Sequence, residues 1–326
     1  MELEKIQFCN SSVYKISNAY FVETINKNLE KILECELKTS KNIFPGSQPV
    51  ALEKKNLEIL KKNKYVVCEK SDGERYLLLF LYIENNPLCL LLNRNNTFYF
   101  VELNIATEMF EGTMFDGELI KTKEGQWNYL IHDCIAYNGR SYMKISHNKR
   151  YGAIIDFITK MYCYQQSNPF YIKTKLFYNY TPELEQTWEH IKQTTENNID
   201  GLIFTPVHSP IVIGRQNDLF KWKNGSNHTI DLLVKLIHKN INAYYSGNKI
   251  FKKINDPVSQ EYKQIFNFCG KEILIKGVIV EFKYSVDSGI LTPYRLRQDK
   301  EFPNSKLTVD NTITNIRESL EIQDLA

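Results

Sequence analysis

The 326-residue sequence has no apolar run approaching the ~20 residues needed to span a bilayer, and its start, Met1-Glu2-Leu3-Glu4-Lys5, lacks the apolar core of a signal peptide. The expectation is a protein that stays inside the cell and is not anchored to a membrane. Paired cysteines are missing too: the seven, at positions 9, 35, 68, 89, 134, 163 and 269, include no C-x-x-C and are odd in number. Reduced thiols follow, and a zinc site is disfavoured. There are no internal repeats or low-complexity tracts, and 43% hydrophobic with 24% charged residues leaves no room for wholesale disorder or a fibrous architecture. A strong net charge is also lacking. The total is +3, but residues 229–304 hold twelve Lys and Arg against eight Asp and Glu, which suits polyphosphate or RNA as well as a merely solvated face.

What is present is strand-rich. Aromatic residues make up 13%, with 20 Tyr and 18 Phe, and the length suits roughly two domains. Val22, Ile25, Leu29, Ile32 and Leu33 recur at helical spacing, which predicts a helix over about 20–35, and a second helix is expected from Ala51 to Lys62. Between Tyr65 and Gly139 the pattern is an antiparallel meander, several of whose strands are apolar throughout, so its sheet should be covered on both faces; Asn85-Asn86-Pro87 reads as one of its turns. Helices are expected near Tyr151–Met161 and after Thr181-Pro182, and strands at Gly201–Pro206 and Leu219–Lys223. Beyond a hinge at Asn224–Asn227 come short strands at Thr229–Ile237, Ala243–Tyr245, Lys271–Phe282 and Tyr294–Gln298, with a small helix near Ser259–Phe268. That segment fits a small barrel, and the tail reads as a helix with Ile313, Ile316 and Leu320 on one side.

The chemistry centres on Cys68-Glu69-Lys70-Ser71-Asp72-Gly73-Glu74-Arg75, a strand, a tight polar turn and a second strand. A lysine at such a junction can be desolvated into a nucleophile, Gly73 permits a sharp turn, and Arg75 offers a fork of donors to phosphate. A solvated hairpin turn explains the same eight residues. Further polar groups sit at strand ends: Arg94, Asp116-Gly117-Glu118, Asp200-Gly201, the pair Lys221 and Lys223 on one face of a strand, and Arg295, Arg297, Asp299 and Lys300. Each has a plain structural reading as a surface arginine, a turn former or an edge-strand lysine. Together they describe a nucleotide pocket, with carboxylates for a divalent metal and a ribose and cations for phosphates.

These residues resemble the guanylyltransferase of eukaryotic-type mRNA capping enzymes, within the covalent nucleotidyltransferase superfamily that includes ATP-dependent DNA and RNA ligases. K-x-D-G-x-R is met by Lys70–Arg75, D-G-E by Asp116–Glu118, the next strand motif by Tyr129–Asp133, and D-G-L-I-F by Asp200–Phe204. K-W-K is met by Lys221–Lys223 and R-x-R-x-D-K-x-x-P-N by Arg295–Asn304, while F-P-G-S-Q-P-V at 44–50 is similar to the segment preceding the lysine motif. The resemblance implies an α+β fold: a nucleotidyltransferase domain of antiparallel sheets and flanking helices over 1–228, an OB-fold over 229–304, and a helix over 305–326 that returns to the first domain. It further implies that Lys70 attacks the α-phosphate of GTP to give lysyl-GMP and pyrophosphate, and that GMP then passes to 5′-diphosphate RNA. By the same carry-over Arg75 meets the β-phosphate, Arg94 and Glu118 the ribose, Lys221 and Lys223 the α-phosphate, and Arg295, Asp299 and Lys300 the departing pyrophosphate. Glu69, His132, Asp200 and Asp231 complete the nucleotide site, and Glu118 and Asp200 are the candidate ligands for Mg²⁺ or Mn²⁺.

The sequence departs from the family pattern twice: His132 stands where a guanine-stacking Phe or Tyr is usual, and Leu291 replaces a tryptophan. An ATP-dependent polynucleotide ligase and a catalytically inactive RNA-processing scaffold are the alternatives. Separate proteins are expected to supply RNA triphosphatase and cap methyltransferase activities, with RNA polymerase II as a further partner. The family implies the nucleus, or a cytoplasmic replication site for a viral protein.

Overall fold

The computed structural model describes residues 3–37, 44–224, 228–298 and 300–326; most of the expected hinge at Asn224–Asn227 lies outside them. The chain divides into two compact units, one of Met1–Val50, Glu58–Trp222 and Ala326, the other of Ala51–Leu57 and Lys223–Leu325. Among the described residues no helix is long and apolar enough to cross a membrane.

The first unit is built on a nine-stranded sheet. In space it runs Leu3–Phe8, Ser11–Ile16, Phe98–Phe100, Asn86–Asn93, Glu74–Ile83, Thr113–Lys121, Trp127–Tyr137 and Arg140–Ser141, and Tyr171–Thr174 pairs parallel to Trp127–Tyr137. The meander is antiparallel as its pattern implied, but the hairpin turn sits at Glu84-Asn85, one residue early, where φ values of 51° and 63° fit the twist of a two-residue connection. Continuous apolar strands mean two dry faces, and this sheet has them. Tyr76, Leu78 and Phe80 pack with Phe115, Ile154 and Phe157, whereas the alternate residues Leu77, Leu79 and Leu81 pack with Ile25, Leu29 and Leu33. Each fully buried Leu or Phe contributes roughly 1.5–3 kcal/mol, so the central strands are the most firmly held part of the unit.

The helix covering the second face spans Ala19–Leu33, with Asn18 Oδ1 accepting from Phe21 N at 3.0 Å as its N-cap. Helix His147–Asp156, continued by a π turn over Phe157–Met161, covers the first face, and Leu184–Thr194 forms the remaining expected helix. The helix expected over Ala51–Lys62 is α-helical only in its second half. Ser47–Ala51 is extended, Lys54–Asn56 is a single 3₁₀ turn closed by reciprocal Glu53 and Asn56 bonds, and only Leu57–Lys62 is α-helical. A second, five-stranded sheet runs Tyr178–Asn179, Tyr65–Ser71, Ile199–Pro206, Gly214–Lys223 and Ser47–Ala51. It carries the lysine motif.

The second unit has a five-stranded antiparallel sheet in the order Ile250–Ile254, Asn240–Tyr244, Thr229–Ile237, Val278–Tyr284 and Leu291–Leu296. Helix Gln260–Cys269 forms behind its Ser259 cap. The strand expected over Lys271–Phe282 is half helix: Lys271–Lys276 coils between Gly270 and Gly277, burying Leu274 and exposing Ile273 and Ile275. An uninterrupted apolar run does not distinguish the two periods by itself. The terminal helix, Lys306–Glu318, was expected to return to the first domain. Its Val309 is fully buried in one apolar cluster with Ile230, Leu232 and Phe282, and Lys54 N donates to Glu318 Oε2 at 2.7 Å.

One buried group makes the first unit acid-sensitive. His147 is 2% exposed, neither ring nitrogen has a partner, and the ring packs 4.5 Å from Phe177 and 6.1 Å from Tyr151. Burial pushes its pKa down from 6.5 to about 4. The unfolded chain therefore binds the extra proton first, and the imidazole's contribution to stability is intact above pH 6.5 and lost as pH falls towards 4. The loss should amount to about 3 kcal/mol. In urea denaturation across that range, His147→Phe is expected to flatten the pH dependence.

Candidate active site

Lys70 is the penultimate residue of a strand whose other side chains are buried, and its own side chain is 22% exposed. Its neighbour strand Ile199–Pro206 is bulged between Ile199 and Gly201, so Asp200 falls out of register. Bulges re-aim side chains. Here the carboxylate reaches Lys70, with Nζ 2.7 Å from Oδ1. Asp72 N donates to Asn198 O at 2.9 Å and closes the turn. Gly73 is required for close approach rather than for a sharp turn: its φ is not positive, but a Cβ there would lie 2.5 Å from the Leu119 carbonyl oxygen and 2.6 Å from Ile120 Cγ2.

Arg75 is buried and forks onto Asp116, with Nε 2.8 Å from Oδ1 and Nη2 on Oδ2. His132 Nε2 stands 3.2 Å from the same Oδ1. Burial opposes both charges, yet Asp116 holds the Arg75 guanidinium above its ordinary value, while Arg75 and His132 hold the Asp116 carboxyl well below the usual carboxylate range. The loop Phe44–Val50 lies over this pair. The Phe44 ring centroid is 5.1 Å from Arg75 Cζ, and a Cβ on Gly46 would be 2.9 Å from both Arg75 Nη2 and Asp116 Oδ2. Glu118 is the register partner of Arg75, and Arg94, exposed on its turn, is within electrostatic reach of Arg75, Glu118 and Asp116.

Lys221 and Lys223 alternate with buried Trp222 on Gly214–Lys223, the strand beside Ile199–Pro206, so Lys70, Asp200 and the lysine pair share one sheet. The remaining candidates lie in the second unit. Asp231 and Glu281 are register partners; Arg297 Nη1 bridges them at 3.1 Å and 3.3 Å, Lys300 Nζ pairs with Asp231, and Arg295 Nε with Glu281. Asn304 Oδ1 accepts from Asp231 N and Asn304 N donates to Asp231 O, both at 2.8 Å, which ties the end of the distal motif to Thr229-Ile230-Asp231. Asp231 thus pairs with two of the motif's cations, Arg297 and Lys300. Asp299 lies outside the described residues.

Two groups escaped the sequence reading. Lys175 is 5% exposed and donates from Nζ to the Glu69 carbonyl at 3.0 Å, beside a cavity of about 180 Å³ lined by Glu69, Asn128, Lys175 and Asn197. Its sequence context, Tyr171-Ile172-Lys173-Thr174-Lys175-Leu176-Phe177-Tyr178, holds two lysines at alternate positions, and nothing in it singles out the buried one. Arg150, 2% exposed, forks onto Asp133 at 2.7 Å and 3.1 Å; an arginine on a helix gives no such signal until the strand it faces is known. Among the described residues no three His, Cys, Asp or Glu side chains converge as a metal cage.

Comparison with known proteins settles the family. The model for the mRNA capping enzyme, catalytic domain, matches residues 13–225. The chain belongs to that family. This capping-family chain is 36% identical over 223 residues to the mRNA-capping enzyme subunit alpha of Schizosaccharomyces pombe, covering 61% of this chain and 55% of that one. It is 27% identical over 376 residues to the same subunit of Kluyveromyces lactis, covering 90% and 80%. A solved Chlorella virus DNA ligase-adenylate is 17% identical, with a TM-score of 0.36 over 79% of this chain and 100% of that one. Membership decides between the two enzymatic readings, for capping and against polynucleotide ligation.

The buried Arg75–Asp116 pair gives a direct test. Removing one partner strands a charge in a dry site, so Arg75→Ala should lower stability by about 3–5 kcal/mol in chemical denaturation, and Arg75→Lys should recover only part because it cannot fork.

Proposed function

We propose that this protein is a GTP:RNA guanylyltransferase that caps RNA through a lysyl-GMP intermediate. The observation that carries the reading is the Lys70 ammonium held 2.7 Å from Asp200 at the bulge, in the frame of the K-x-D-G-x-R motif. The amine must shed a proton before it attacks, and the adjoining carboxylate both fixes Nζ and offers that proton an acceptor. In the first step the Nζ–Pα bond forms, the bond from Pα to the bridging oxygen breaks, and pyrophosphate leaves. In the second, the terminal phosphate oxygen of 5′-diphosphate RNA attacks Pα, the P–N bond breaks, and the lysine is restored. Catalysis of this kind consists largely of positioning and charge neutralisation.

Arg75, fixed by Asp116, presents what remains of its fork to phosphate, while Arg94 and Glu118 bound the same region and serve the ribose. Lys221 and Lys223 supply cations for the α-phosphate. Glu118 and Asp200 give carboxylate oxygens to a hard divalent cation, Mg²⁺ or Mn²⁺, whose remaining ligands come from water and nucleotide phosphates, a pattern that needs no protein cage. Such an ion supplies neutralisation of phosphate charge when bound.

The second unit reads as an OB-fold. Its spatial strand order, third, second, first, fourth, fifth, with helices between the third and fourth, suits a five-stranded Greek-key barrel opened along one seam. Arg295, Arg297 and Lys300 on that unit serve the leaving pyrophosphate. Because the reaction consumes a 5′-diphosphate end, an RNA triphosphatase must supply the substrate, and a cap methyltransferase and RNA polymerase II are the natural company. The nucleus is the proposed location, or a cytoplasmic replication site for a viral protein.

Incubation with labelled GTP and Mg²⁺ or Mn²⁺ should yield an acid-labile, alkali-stable protein adduct. Lys70→Ala should abolish it and Asp200→Asn should slow its formation by about 10²-fold. Labelling by ATP alone would overturn the assignment, and absence of any adduct from the wild-type protein would favour the scaffold.

A further inference from the structure

The cationic run of the second unit is bracketed by aromatic rings that the phosphate chemistry leaves unexplained. Tyr294, immediately before Arg295, is 56% exposed, and Phe302, just after Lys300, is 65% exposed. Singly exposed apolar side chains are ordinary on a folded surface, but here two exposed rings flank one run of cations, while Phe282 on the next strand is fully buried. Tyr294 does not wander freely, since Lys283 Nζ lies 5.4 Å from its ring centroid. The register explains the exposure. Val278–Tyr284 and Leu291–Leu296 pair with a shift between Glu281 and Phe282, so Arg295 lies opposite Glu281 and Pro293 opposite Phe282, leaving Tyr294 as the extra residue between them. A bulge puts one side chain out of the alternation, and here that side chain is aromatic.

An exposed ring with an ammonium above it, next to a strip of guanidinium and ammonium groups, has the chemistry of a single-strand nucleic-acid platform: π faces for bases, cations for the backbone. Glu281 and Asp231 neutralise part of the strip, yet residues 229–304 still carry twelve basic against eight acidic side chains. We infer that Tyr294 and Phe302 form base-stacking contacts for the single-stranded RNA that accepts GMP, with Lys283 holding the Tyr294 ring and adding a backbone contact. The inference rests on the guanylyltransferase reading. It assigns to the second unit an RNA-holding role separate from any role of its cations on pyrophosphate.

The test separates the two. Binding of a fluorescent 5′-diphosphate RNA oligonucleotide is followed by anisotropy at two salt concentrations, alongside adduct formation from labelled GTP and transfer of GMP to the same RNA. Tyr294→Leu, which keeps apolar bulk but removes the π face, should weaken RNA binding about tenfold and raise the KM for RNA, while adduct formation proceeds at the wild-type rate. Tyr294→Phe should bind RNA like wild type. Phe302→Leu should act in the same direction, and Lys283→Ala should reduce the salt dependence of binding as well as its strength. Unchanged RNA affinity in Tyr294→Leu and Phe302→Leu overturns the proposal, as does a loss confined to adduct formation, which would place the rings on the nucleotide. If the wild-type protein forms no adduct, the guanylyltransferase reading itself has failed.

Discussion

The buried fork of Arg75 on Asp116 is the constraint on which the first unit's site depends. It joins two adjacent strands of the large sheet, takes a third contact from His132 on the next strand, and is roofed by Phe44 and Gly46. A buried ion pair is poor evidence of net stability, because an apolar replacement often does as well. Its value lies in geometry. With both charges dry and matched, neither side chain has another low-energy place to go, and the loop above can only close if position 46 has no side chain. His132, which stands where the family usually has a stacking ring, has its imidazole Nε2 3.2 Å from Asp116 Oδ1.

A parallel device operates in the second unit. Asp231 and Glu281 stand side by side on neighbouring strands and divide Arg295, Arg297 and Lys300 between them, while Asn304 zips onto the Asp231 backbone. In both units a carboxylate fixes a cation in place. Fixed donors of this kind avoid reorganisation at the moment of reaction, the physical basis of electrostatic catalysis. Lys70 and Asp200 form another such pair, and the device that aims the carboxylate is a bulge in its strand.

Much of the architecture was legible because the large sheet is apolar on both faces. Continuous runs such as Tyr76–Ile83 have few alternatives to a covered strand once turn residues bound them. Where the pattern was ambiguous, the reading failed in two ways. Lys271–Lys276 offers an apolar run too short to show a period, and Ala51–Lys62 offers helix formers whose context, an edge strand and a 3₁₀ turn, overrides propensity. The terminal helix was identified from its stripe, whose Ile313 packs on the second unit's core, but Val309, outside that stripe, is the residue fully buried there.

The sequence by itself determined the motifs, their order and the family they belong to, since those depend on residue types at fixed spacings along the chain. Only the tertiary structure decided which carboxylate meets which cation. Asp200 reaches Lys70 across 130 positions of chain and Arg75 meets Asp116 across 41, whereas Asp231 turns to Arg297 and Lys300. Such pairings follow from strand register, and register is set by how both faces of a sheet find their cores, which no local pattern specifies. The same holds for Lys175 and Arg150, whose charges are buried only because distant elements close over them.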